Sequence, residues 1–131
     1  MSLERVILHI GRHKSGTSSL QHCLNRNSKL LAAAGVLYPL YGRNGKVAHH
    51  DIAKALNPNL QNTPIDPVHI ANNILQERHN EEATIIISSE ALQNICDLTY
   101  VKEFLTALHP EHITIICYFR EHLDYAIAAY R

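Results

Sequence analysis

Nine consecutive residues near the amino terminus, Gly11-Arg12-His13-Lys14-Ser15-Gly16-Thr17-Ser18-Ser19, combine two glycines with cations and hydroxyls. They lie between an apolar run that ends at Ile10 and a helical pattern in which Leu20 and Leu24 fall one turn apart. A helix N-terminus presents unpaired backbone N–H groups and the positive end of its dipole, so a strand, turn and helix in this order make an anion site. The spacing Gly11-x4-Gly16 is that of a phosphate-binding loop. A nucleoside-triphosphate loop would continue Gly-Lys-Ser/Thr, however, and here Gly16 is followed by Thr17 and Ser18. The lysine is Lys14, inside the loop, where its ammonium reaches an anion held on the helix start. Gly16 lets the backbone approach the ligand closely, and Thr17, Ser18 and Ser19 both cap the helix and donate to anionic oxygens.

Other candidate groups lie at two further places. Glu90 follows a β-branched run at residues 83–88. This is the carboxyl end of a strand, the edge where ligands bind in open α/β sheets. A carboxylate there suits a general base, and it equally suits a helix cap. His49 and His50 follow a turn-rich stretch at 36–46 and are candidates for acid–base work, or plain solvent histidines. Tyr38, Tyr41 and Arg43 in that stretch are candidates for lining a cleft. His9 and His13 straddle a strand-to-loop junction with no completing ligand, so no metal site is expected.

Three β-branched runs, at 5–10, 83–88 and 112–119, are nearly continuous, as in strands buried on both faces of a parallel sheet. Helical segments separate them. One spans 16–26, and another spans 29–34 with Ser28 as cap and Gly35 as stop. A third covers 49–56, and a fourth starts at Asp66-Pro67 with Ile70, Ala71, Ile74 and Leu75 as its buried stripe. Tyr100, Val101, Phe104, Leu105 and Leu108 mark a fifth, and Leu123 and Ile127 a sixth. Residues 36–46 read as a loop or lid because of Pro39, Gly42, Asn44 and Gly45. The plan is a single α/β domain over residues 1–131, a three-layer αβα arrangement around a parallel sheet with right-handed crossovers. Three strands are few for this class and the chain stops in a helical pattern. A truncated domain is therefore expected, with a sheet edge open to homo-oligomerisation.

The 131 residues carry a formal net charge of zero, which predicts neither a nucleic-acid nor an acidic-membrane partner. The three cysteines (Cys23, Cys96, Cys117) form no CxxC pair and fit buried, reduced thiols. The amino-terminal apolar patch is cut off by Arg12, His13 and Lys14, too short for a signal or membrane segment, so a cytoplasmic protein is expected.

The segment HIGRHKSGTSSLQ resembles the 5′-phosphosulfate-binding loop of sulfotransferases that use 3′-phosphoadenosine 5′-phosphosulfate (PAPS), above all the bacterial and carbohydrate-type branch. Loops of that branch run roughly H-x-G-x-x-K-[ST]-G-T-[ST]-S-[LI]-Q. A second family block is a strand ending in Arg, then a helix with Ser eight residues later and a Tyr soon after. The segment IICYFREHLDYAIAAYR matches it at Arg120 and Tyr130 and departs from it at Ala128, where the serine would stand. The resemblance implies a P-loop NTPase-like fold that binds PAPS and its product PAP through Arg12, His13, Lys14, Ser15, Gly16, Thr17, Ser18 and Ser19. It further implies Lys14 on the oxygen bridging phosphate and sulfuryl group, and Arg120 on the 3′-phosphate. Without the serine hydroxyl, position 128 lacks one contact to that phosphate, at a cost of about 1–2 kcal/mol.

The displaced lysine then has a chemical reason. Phosphoryl transfer from a triphosphate uses Mg²⁺ and an acid on a later strand; the later strands here end in Ser88-Ser89-Glu90 and in Arg120. A sulfuryl group carries less charge, so lysine and hydroxyls suffice and no metal is required. The expected reaction is sulfuryl transfer to a hydroxyl or amine of a small-molecule or carbohydrate acceptor, with Glu90 or His49 as base. The alternatives are a P-loop small-molecule kinase and a nucleotide-binding or assembly module without turnover.

Overall fold

The computed structural model describes residues 2–11, 17–60, 65–79 and 82–117, without the side chains of Thr17 and Ser18. Arg12, His13, Lys14, Ser15, Gly16, Arg120 and Ala128 lie outside the described residues, as does the expected sixth helix. Four strands, β1 (Arg5–His9), β2 (Val36–Leu37), β3 (Thr84–Ser88) and β4 (His112–Ile116), form one all-parallel sheet in the order β2-β3-β1-β4. Five helices accompany them among the described residues: α1 (Thr17–Arg26), α2 (Ser28–Ala33), α3 (His50–Ala55), α4 (Pro67–Leu75) and α5 (Thr99–Leu108). Short 3-10 turns span Pro58–Leu60 and Glu90–Asn94.

The sheet core comes from Val6, Leu8, Ile85 and Ile87, which are closed over by Ile70 and Ile74 of α4 and by Phe104 and Leu108 of α5. Helix α4 starts where expected. Asp66 accepts the Val68 N–H at 3.0 Å, Pro67 follows at the first helical position, and Ile70, Ala71 and Ile74 are buried. Helix α5 ends at His109 in a left-handed conformation (φ 53°), just before Pro110.

Several expectations need correction. Residues 36–46 are not all loop, because Val36 and Leu37 pair in parallel with Thr84 and Ile85. Two residues carry no periodic pattern; their pairing comes from the neighbouring strand. Among the described residues the sheet therefore has four strands instead of three. Strand β4 is not buried on both faces, since it is the edge strand and Ile113 and Ile115 are exposed. Ser28 is the first residue of α2 and not its cap; Asn27 holds the cap position and turns its amide back to the Cys23 carbonyl at 2.9 Å. Cys23 and Cys96 are exposed rather than buried, and Cys117 is half-buried. No helix among the described residues is long and apolar enough to cross a membrane.

The topology creates one crevice. The chain leaves β1 toward β2 on one side, whereas β3 connects to β4 past β1 in the opposite direction. Right-handed crossovers place those two connections on opposite faces of the sheet. The helices that follow β2 and β3 share a face, since α4 packs on α5. The carboxyl ends of β1 and β3 thus form the switch point of the sheet, where ligands bind in open α/β folds.

Candidate functional site

Polar side chains from six elements and segments converge at that switch point. His9 ends β1 and pairs in register with Ser88 at the end of β3. Helix α1 turns Gln21 inward, the segment after β2 supplies Tyr38, and the start of α3 supplies His49 and His50. The 3-10 turn after β3 supplies Glu90. Each of these except His50 is at least nine-tenths buried. Buried polar groups persist only when hydrogen-bonded, and here the bonds join successive elements.

Ser88 is the hub. Its Oγ lies 2.7 Å from His9 Nδ1 and accepts from Gln21 Nε2 at 3.0 Å. Tyr38, beside Ser88, donates its hydroxyl hydrogen to the Val47 carbonyl. A serine hydroxyl has one hydrogen and two lone pairs. With one lone pair taken by Gln21, the hydroxyl hydrogen and the other lone pair remain for the contact with His9 Nδ1. Burial lowers the His9 pKa against the raising effect of the Glu90 charge, which favours the neutral ring. Burial likewise pushes the Tyr38 phenol up to about 12, with Arg43 and the Ser88 hydroxyl opposing.

His49 is fully buried and both of its ring nitrogens are used. Nδ1 accepts the Ser88 backbone N–H at 3.0 Å, so Nε2 carries the hydrogen and donates to the Pro39 carbonyl at 2.8 Å. Its own backbone N–H donates to the Ser88 carbonyl at 2.7 Å. His49 therefore ties α3 and the Pro39 turn to β3 and offers no nitrogen to a substrate, contrary to its expected acid–base role. Tyr38 and Arg43 are largely buried and border a cavity of about 470 Å³ together with Lys29, Leu37 and Glu77. The Arg43 Nε donates to the Pro39 carbonyl at 2.6 Å, another guanidinium N–H donates to Asn25, and the guanidinium carbon lies 4.8 Å from the Tyr38 ring centre. Tyr41 is half-buried and borders a separate cavity of about 330 Å³ with Leu40, Gly42, Asp51 and Ile52.

Burial pushes the His49 pKa down to about 4, with its two backbone bonds opposing. A ring that is neutral when folded but takes a proton near pH 6.5 when unfolded stabilises the fold above that pH. The contribution is lost progressively as the pH falls toward 4, about 3 kcal/mol at about 1.4 kcal/mol per pH unit. Urea midpoints measured from pH 7 down to pH 4 are expected to fall accordingly, with His9 acting in the same direction. His49→Gln is expected to have lower stability at pH 7 and a shallower pH slope.

The turn after β3 carries Glu90, which His50 of α3 meets at the edge of the network. Ser89 donates its backbone N–H to the His9 carbonyl at 3.0 Å and caps the turn by accepting the Ala91 N–H at 3.1 Å. The Ser89 Oγ lies 2.6 Å from His50 Nδ1, and His50 Nε2 lies 3.6 Å from Glu90 Oε2. The His50 side chain is 38% exposed and that of Glu90 is 10% exposed, so the pair stands at the mouth of the crevice. Of the expected site residues, the structure brings together Glu90 and His49, and Ser19 is exposed on the first turn of α1. Local pattern does not reach the roles of Gln21, Ser88 and Ser89, whereas His50 is a candidate from sequence. The signal for His50 is its place beside His49, and only the phase of α3 decides which histidine turns inward.

Among the described residues no three His, Cys, Asp or Glu side chains gather into a metal site. The chain matches no protein-family model, no curated protein and no solved structure.

Proposed function

We propose that the chain transfers a sulfuryl group from PAPS to a hydroxyl or amine acceptor, on a P-loop NTPase-like form of the α/β fold. The observation that carries the reading is a juxtaposition. The loop sequence resembling a phosphosulfate site joins the end of central strand β1 to α1, and Glu90 lies just beyond the end of adjacent β3. The donor set fits an anion, because α1 has no acidic residue in its first turn and a helix start carries the positive end of the dipole.

Bound PAPS supplies an activated sulfuryl group. Thr17 and Ser18 bind its 5′-phosphate, and Lys14 offsets charge on the bridging oxygen as that bond breaks. Arg120 pairs with the 3′-phosphate, while Ala128 contributes no hydroxyl. Glu90 takes the acceptor's proton as the new oxygen–sulfur or nitrogen–sulfur bond forms. The buried network around Ser88 holds the ends of β1 and β3 in register, so that loop and base keep their spacing.

Titration calorimetry with PAP and with ATP-Mg²⁺ tests the reading. PAP is expected to bind, and more tightly than ATP-Mg²⁺. Binding of ATP-Mg²⁺ without PAP would move the site to phosphoryl transfer. PAP binding without transfer to any acceptor would make the chain a nucleotide-binding module.

A further inference from the structure

We infer that His50 is a positioning residue for Glu90, aimed at the carboxylate by Ser89; this rests on the sulfuryl-transfer reading and adds a second side chain to its base. Helix α3 begins at His50 and packs against the 3-10 turn that carries Glu90. Ser89 is anchored to the sheet by its backbone N–H on the His9 carbonyl, and its Oγ also accepts the Ala91 N–H. One hydrogen and one lone pair of that hydroxyl remain for His50 Nδ1 at 2.6 Å. Toward a neutral imidazole Ser89 donates to Nδ1, and toward an imidazolium it accepts from Nδ1–H. In both states Nε2 carries a hydrogen and faces Glu90 Oε2 across 3.6 Å.

That distance is longer than a hydrogen bond, which is common for catalytic pairs without their substrate. The ring therefore restrains the orientation of the carboxylate in a buried setting. The Glu90 charge also reaches His9 at the end of β1 and Tyr38 after β2. His50 differs from both because its side chain stands at the solvent-facing mouth, where an acceptor enters. A surface ion pair with no role would not need the serine that fixes the ring.

The test joins spectroscopy to turnover. Imidazole ¹⁵N–¹H correlation spectra, with the His50 signals assigned by through-bond connection to the assigned backbone, are recorded for the native chain and for Glu90→Gln. Turnover is the release of PAP from PAPS with water as acceptor. A single Nε2–H tautomer is expected for His50, with a resonance that moves in Glu90→Gln, and Ser89→Ala is expected to abolish that tautomer preference. His50→Gln is expected to lower kcat about tenfold, the low end for a supporting residue, with the KM for PAPS within about twofold. Mixed tautomers indifferent to Glu90→Gln, or wild-type kcat in His50→Gln, would overturn the inference. If the native chain neither binds nor releases PAP, the sulfuryl-transfer reading falls, and the spectra still decide whether His50 and Glu90 are coupled. They also decide it if His50→Gln fails to fold.

Discussion

Glu90→Gln is expected to slow sulfuryl transfer from PAPS by about 10²–10⁴-fold, the range for loss of a general base, while PAP affinity stays within about twofold. Glutamine keeps the size of the side chain and can still bond its neighbours, so the buried turn after β3 is retained. It lacks the carboxylate that takes the acceptor's proton. Single-turnover release of PAP, measured beside PAP calorimetry on the same preparation, separates chemistry from binding. Undiminished release in Glu90→Gln would remove Glu90 from the base role.

Gly42→Ala is expected to destabilise the fold by about 3 kcal/mol, from about 1–2 kcal/mol for a left-handed backbone and about 1–3 kcal/mol for overpacking. Gly42 has φ +84°, and a Cβ there would lie 2.2 Å from Ile52 Cγ1 and 2.6 Å from Cδ1. Ile52 is β-branched and 1% exposed, so its side chain has little room to turn away. The backbone also leans on this contact, since the Gly42 carbonyl accepts the Asp51 N–H at 3.2 Å beside the start of α3. Gly45 is the control. It has φ +78° and nothing within 4 Å of where a Cβ would stand, so Gly45→Ala is expected to cost only the backbone part, about 1 kcal/mol. Denaturant midpoints of the two variants measure the difference. Because Gly42 seats α3, Gly42→Ala is also expected to loosen the His49 and His50 contacts before global unfolding. Equal losses in the two variants would show that Ile52 yields to the added methyl.

Much of the frame is legible from local pattern. The β-branched runs mark β1, β3 and β4, and Asp66-Pro67 marks the start of α4, because those signals lie within a few residues of the structure they make. Strand β2 is not legible, since two residues form a strand only when a neighbour offers its edge. Leu20 and Leu24 mark helix α1, but its innermost side chain is Gln21, 2% exposed, because a serine hub rather than an apolar surface waits beneath it.

The candidate site divides along the same line. By itself the amino-acid sequence determined a loop rich in glycines, cations and hydroxyls, an acid at a strand end and a net charge of zero, none of which depends on contacts between distant segments. Only the tertiary structure decided that His49 is tied inward while His50 meets Glu90. It also decided that Ser88 gathers His9, Gln21 and Tyr38. Those partners are as many as 79 residues apart in the chain, and no local propensity sets such distances. The parallel register of His9 with Ser88 sets them, together with the phase at which α3 leaves its first turn against β3.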